Sequence, residues 1–172
     1  NAYKYFSNGL DHMIKGNNRE VIKSMEKAIE IDPEFAMAYR FLAVGYTNLG
    51  YRAESRKYIQ KAFELSDRLP DRERYQIQAN FYLGSYKTVD KAIEALERKT
   101  TLYPDDWLGN TLLISWYSFL EMWDKAIERF EFVIGMEEPT YWPFYHVAES
   151  YTAKGLYDKA LDDINKALAI DK

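Results

Sequence analysis

Apolar residues recur along this chain at intervals of three and four, the period of a helix with one buried face. Val21, Met25 and Ala28 share one stripe in "EVIKSMEKAIEI", and Ala160, Ile164 and Ala167 share one in "YDKALDDINKALAI". Polar turns separate these stripes. With only 5 prolines and 8 glycines as punctuation, the pattern predicts helices joined by short turns. Asp32-Pro33 illustrates the joint: Ile31 is expected to pack, Pro33 cannot continue the helix, and a new helix begins at Ala36.

The stripes repeat with a period of 34 residues. With Ala2 in slot 1, Pro33 falls in slot 32, and new frames open at Ala36, Glu73, Trp107 and Tyr141. An insertion near Arg68–Arg72 delays the third. Slot 32 then holds Pro33, Asp67, Pro104 and Glu138, with Pro139 next. Slot 20 is slim (Val21, Ser55, Ala92, Ala126, Ala160), and slot 24 is always apolar (Met25, Ile59, Leu96, Phe130, Ile164). Slot 11 holds His12, Tyr46, Leu83, Tyr117 and Tyr151, large groups that fill the gap left where small residues bring helices close. Slot 15 is Gly16, Gly50 and Gly155, as expected where a first helix ends in a left-handed residue. Each frame therefore reads as helix–turn–helix.

The fragments "KSMEKAIEIDPEF", "NLGYRAES", "WDKAIERFEFVI" and "YDKALDDINKALAID" resemble the tetratricopeptide repeat family. The resemblance implies an all-α fold: a tetratricopeptide-type α-solenoid, a right-handed superhelix of about ten antiparallel helices. It implies one domain over 1–172, with units 2–35, 36–72, 73–106, 107–140 and 141–172. The third unit departs most, with Asn80 in slot 8, Lys99 in slot 27 and Lys87 where glycine is usual; a buried Asn80 needs a hydrogen-bond partner. Its opening, "RERYQIQANFYLGSYK", resembles variant repeats beside bacterial signalling and transcription-regulatory domains. With a start at Asn1, the expectation is a fragment of a larger bacterial protein.

The resemblance also implies a ligand groove lined by slots 2, 5, 9, 12 and 13 of the first helices. That set gives Tyr3, Phe6, Leu10, Met13 and Ile14, then Met37, Arg40, Val44, Thr47 and Asn48. The third unit adds Arg74, Ile77, Phe81, Gly84 and Ser85; the fourth, Leu108, Thr111, Ser115, Ser118 and Phe119; the fifth, Trp142, Tyr145, Glu149, Thr152 and Ala153. The expected ligand is a protein segment, helical or extended, whose carboxylates pair with Arg40 and Arg74. The apolar first-unit set has a second reading, packing on a preceding element. Phe6 and Leu10 stand where relatives that clamp a C-terminal carboxylate carry Lys and Asn, which argues against a chaperone-tail receptor. In "TYWPFYH", Phe144 is expected to pack on the previous unit, while Trp142 and Tyr145 face the groove as a hot spot or as packing.

Composition narrows the function. At 47% hydrophobic and 29% charged the chain reads as globular, and its 15 tyrosines suit half-buried positions with one wet edge. A net charge of −4 with no Lys/Arg cluster argues against nucleic acid, and no apolar run approaches a membrane span. No cysteine is present. His12 reads as a semi-core residue and His146 as surface or interface; neither has a partner at metal-ligand spacing. Asp105–Asp106, Glu137–Glu138 and Asp162–Asp163 read as helix caps or solvated faces. No enzyme, metal or cofactor is expected. The expected function is an interaction scaffold, with a regulatory or sensory module of a signalling or transcription-regulatory protein as the alternative. A cytoplasmic setting is favoured. Ile164, Ala167 and Leu168 lack a following helix, so a further repeat, a capping helix or self-association through uncapped ends is expected.

Overall fold

The computed structural model describes residues 1–135 and 140–170; the slot-32 position Glu138 with Pro139, the Glu137–Glu138 pair and Lys172 lie outside the described residues. Among the described residues the chain forms ten α-helices and no strand. They are α1 (Ala2–Ile14), α2 (Asn18–Ile31), α3 (Ala36–Asn48), α4 (Arg52–Glu64) and α5 (Asp71–Tyr82). Then come α6 (Val89–Leu102), α7 (Trp107–Phe119), α8 (Trp123–Val133), α9 (Tyr141–Ala153) and α10 (Tyr157–Ile170). First helices open at the predicted residues except in the third unit, where α5 starts two residues before Glu73, directly after Pro70. Proline there holds extended backbone and leaves the next residue to start the helix.

The chain divides into two compact halves, residues 1–95 and the residues from 96 on. In the first, each of α1 to α5 packs on its sequence neighbour. Phe6, Val21, Met25, Ala28, Ala38 and Leu42 form one core cluster, and Ala43, Ile59, Ala62 and Ile77 form the next. In the second half, α9 packs on α7, α8 and α10, around Phe130, Val133, Phe144, Val147 and Tyr151. Phe144 is buried against Phe130 of the previous unit, as its slot predicts. Ile31 differs: its side chain is half exposed beside the turn.

The turns inside four of the five units share one geometry. Gly16, Gly50 and Gly155 have φ of 69°, 83° and 72°, and Glu121 takes the same position at φ 59°. The next residue then donates its N–H back across the helix end: Asn17 to His12, Tyr51 to Tyr46, Met122 to Tyr117 and Leu156 to Tyr151, at 2.8–2.9 Å. The third unit ends its first helix earlier. There Thr88 Oγ1 donates to the Tyr82 carbonyl at 2.7 Å, so Lys87 never has to adopt a left-handed backbone.

A second device joins consecutive units. Tyr46 donates its hydroxyl to Glu26 at 3.2 Å, and Tyr117 to Glu97 at 2.5 Å, in each case 20 residues back. These are slots 11 and 25 of adjacent frames. Burial first, and the neighbouring carboxylate second, push the Tyr46 hydroxyl up to about 12 and raise that of Tyr117 as well. Tyr151 is raised by burial, then by Asp163 and Glu131, the last being its slot-25 counterpart. Where slot 11 is Leu83, slot 25 is Gln60, which donates to Glu64 instead.

The irregular third unit is held by polar groups. Asn80 accepts from Arg40 Nε at 3.0 Å and from Gln76 at 3.3 Å, which supplies the partner its slot demands. Lys99, in a slot elsewhere filled by small or aliphatic residues, is buried and donates to buried Asp106 at 2.8 Å. Asp106 also caps α7, accepting from the Gly109 N–H at 2.7 Å. Gly109 is required by closeness: a Cβ there would lie 2.9 Å from Thr100 Cγ2. Fully buried Asn110 bridges the Pro104 and Asp106 carbonyls and accepts from Arg129.

Candidate functional site: the open faces of the first helices

The slots assigned to a groove are not all open. In the N-terminal half, Phe6, Arg40 and Ile77 are buried, and Ile77 has 0% exposure. Phe6 packs among Phe35 and Phe41, and Ile77 belongs to the core cluster of α4 and α5. Arg40 and Arg74, expected to pair with a partner's carboxylates, both have partners within the chain. Arg40 turns inward to Asn80, with its guanidinium over the Phe41 ring at 4.7 Å, and Arg74 pairs with Asp71 one turn back. A buried cation is stabilised by such partners, and swinging it outward would strip Asn80 of a charged donor.

The remaining N-terminal positions lie at or near the surface. Tyr3 and Ile14 are well exposed, while Leu10, Met13, Met37, Val44 and Phe81 are half-buried. Phe81 stacks on Phe63 at 4.2 Å between ring centres. Asn48 donates to Asn18 at 2.9 Å and Thr47 to the Ala43 carbonyl at 2.9 Å, so both are already engaged within this half.

In the C-terminal half, the face of α7 and α9 is more open. Leu108, Phe119, Trp142 and Tyr145 are exposed, Tyr145 at 64%, and Thr111 and Ser115 are half-buried between them in sequence. Ser118 belongs instead to a buried seam: its hydroxyl donates to the His146 carbonyl at 3.0 Å and lies 2.8 Å from the Ser150 hydroxyl. That seam fixes α7 against α9. Trp142, Tyr145 and Glu149 follow i, i+3, i+7, so they share one face of α9.

His146 completes the aromatic group, 5.1 Å from the Trp142 ring and 5.4 Å from the Tyr145 ring. Burial holds its imidazole below the usual histidine range, against the opposing pull of Glu149. Its Nε2 is buried without a hydrogen-bond partner, as is Nδ1 of His12. A neutral ring packed on two aromatics fits a wall, not a proton shuttle. Among the described residues no group of three or more His, Asp or Glu could hold a metal ion, and no helix is long and apolar enough to cross a membrane.

The fold defines a helical-repeat protein built from two-helix units. Residues 144–172 match the family model for the tetratricopeptide repeat. No curated protein sequence matches the chain. Among solved structures, it is similar to TTC0263, a thermophilic tetratricopeptide-repeat protein of Thermus thermophilus. That match has a TM-score of 0.78 and 19% identity, covering 99% of this chain and 91% of the other. A tetratricopeptide repeat protein from Parabacteroides merdae ATCC 43184 matches at TM-score 0.73 and 15% identity, over 100% of this chain and 66% of the other. YrrB, described as such a protein with an unusual peptide-binding site, matches at TM-score 0.61 and 19% identity, over 99% and 86%. The chain therefore carries a match to the tetratricopeptide repeat over residues 144–172 and has the all-α helical-repeat fold of these solved structures.

Proposed function

We propose that the chain is a non-catalytic interaction scaffold that binds an extended or helical protein segment on the open face of α7 and α9. The observation that carries this is the exposed row Trp142, Tyr145 and Phe119 on helices whose relative position is fixed by the Ser118–Ser150 seam. Rigid aromatics lose little entropy on binding and contribute large contact areas, which is why they dominate hot spots. Exposed apolar area of this kind is otherwise a liability in water. The peptide-binding site of YrrB, a protein of the same fold, supports the reading by analogy. Glu149 is the charged residue on this face, and it favours a basic group in the ligand over the acidic one suggested by the sequence.

The test is selection of binders from a displayed random-peptide library, followed by titration. Tyr145→Ala and Trp142→Ala should each weaken the selected peptide by roughly tenfold or more, with unchanged circular dichroism. Selected peptides that bind both variants as tightly as the parent chain would remove the α7–α9 face from consideration.

A further inference from the structure

The two helices that carry the open aromatic row are nearly free of charge. α7, "WLGNTLLISWYSF", has no Asp, Glu, Lys or Arg, and α9, "YWPFYHVAESYTA", has one, Glu149. In a chain that is 29% charged, this sets Glu149 apart as a lone carboxylate on an otherwise uncharged face. It is exposed, and among the described residues it makes neither an ion pair nor a hydrogen bond. In water an exposed carboxylate needs no partner. Once a ligand settles on the neighbouring rings, that carboxylate loses part of its water, and a cation in the ligand offsets the loss best.

The rings suit a cation too. Tyr145 and Glu149 are four residues apart on α9, so the carboxylate lies one turn from the tyrosine. Trp142 shares that face, and Tyr141 stacks on Trp142 with ring centres 5.8 Å apart. His146 packs on both Trp142 and Tyr145; burial keeps it neutral, so it adds a ring and does not repel a cation. The chain shows the same combination once in its own interior. The Arg40 guanidinium lies 4.7 Å from the Phe41 ring centre while its Nε donates to the Asn80 oxygen at 3.0 Å. A planar guanidinium stacks on a ring and bonds an oxygen at its edge at the same time, whereas a compact, strongly hydrated ammonium is poorly shaped for both.

We propose that the α7–α9 face selects its peptide by a single arginine, whose guanidinium stacks on the Tyr145 ring and bonds the Glu149 carboxylate, with uncharged residues on either side. This rests on the reading of that face as a peptide-binding surface and adds its specificity. Acidic flanking residues would meet Glu149 with like charge. Further basic residues would find no second carboxylate on either helix. The uncharged flanks instead lie along Leu108, Thr111, Ser115 and Phe119 of α7.

The probes are four pools of end-blocked heptapeptides on beads. The central residue is arginine, lysine, citrulline or norleucine, and the other positions are randomised among uncharged residues. The whole chain, fluorescently labelled, is bound to each pool. The arginine pool should retain roughly tenfold more chain than the citrulline pool, which has the same shape without the charge, and several times more than the lysine pool. Glu149→Gln should bring arginine down to the level of citrulline. Glu128→Gln, which removes an exposed carboxylate from α8, should leave the arginine preference intact. Both positions are exposed, so both variants should keep the parent's helix content and melting temperature. Equal retention of arginine and citrulline overturns the proposal, as does a preference for lysine, one that survives Glu149→Gln, or one that Glu128→Gln also abolishes. If the pools are retained equally yet all are lost on Tyr145→Ala, the α7–α9 face still binds peptides and only the arginine assignment falls. Retention of no pool, or retention indifferent to Tyr145→Ala, overturns both.

Discussion

At the scale of single residues, the fold depends on a few hydrogen bonds that recur with the repeat. The Tyr46 hydroxyl on Glu26 is one. Tyr46→Phe should cost about 1 kcal/mol near neutral pH, read from urea denaturation. The same bond has a signature at high pH. The hydroxyl titrates at about 12 in the folded chain, above its ordinary value near 10. The folded state therefore holds a proton that the unfolded state releases. Its contribution is complete below pH 10 and is lost as pH rises toward about 12. Tyr46→Phe should flatten the alkaline decline in melting temperature over that window. Glu121 offers the opposite sign. A left-handed backbone strains a residue with a Cβ and costs glycine nothing, so Glu121→Gly should stabilise the chain by about 1 kcal/mol in the same assay. A variant no more stable than the parent would show that Glu121 makes a compensating contribution.

At the scale of helices, the joint between α6 and α7 is built on a buried ion pair. Lys99 and Asp106 are both buried, and each stabilises the other against the loss of water. Lys99→Met should destabilise by about 3 kcal/mol, because Asp106 keeps only part of its support in the Gly109 N–H. Adding Asp106→Asn should recover some of that loss in a double-mutant cycle. Equal losses in the single and double variants would contradict a coupled pair. This joint also shows what sequence reading reaches. Period and proline place about ten helices and the starts of four of the five first helices, because those signals are local. Lys99 is visible as an oddity, yet its partner is not, since nothing in a 34-residue frame says that a buried amine will meet the cap of the following helix. Arg40 escapes the frame for the same reason: periodicity gives the face a residue occupies, whereas Asn80, forty positions away, decides where the guanidinium turns. Ile77 shows a related limit, as slot 5 is buried at Phe6, Arg40 and Ile77 and open at Tyr145. The Tyr–Glu bonds are legible in principle, because slots 11 and 25 alternate together along the chain.

At the scale of the whole molecule, α1 and α10 differ in kind. Internal seams join an apolar second-helix stripe to a slim first-helix face, whereas α1 carries exposed Lys4, Asn8 and Asp11 in the first-helix slots and α10 carries exposed Leu161, Ile164 and Leu168 in the second-helix ones. The polarity of α1 can be removed. Lys4→Ala, Asn8→Leu and Asp11→Gly together would copy the face of α3 onto α1. The triple variant should assemble end to end, with light scattering that rises with concentration, and Leu161→Lys on the same background should suppress it. A triple variant that stays the size of the parent chain would mean the two faces are not complementary.

Lys4, Asn8 and Asp11 thus keep α1 from offering the slim face that α3 offers α2, as a chain stopper does in a polymerisation. Two matching faces on one chain would give a stack of no preferred length, since each added copy would create the site for the next.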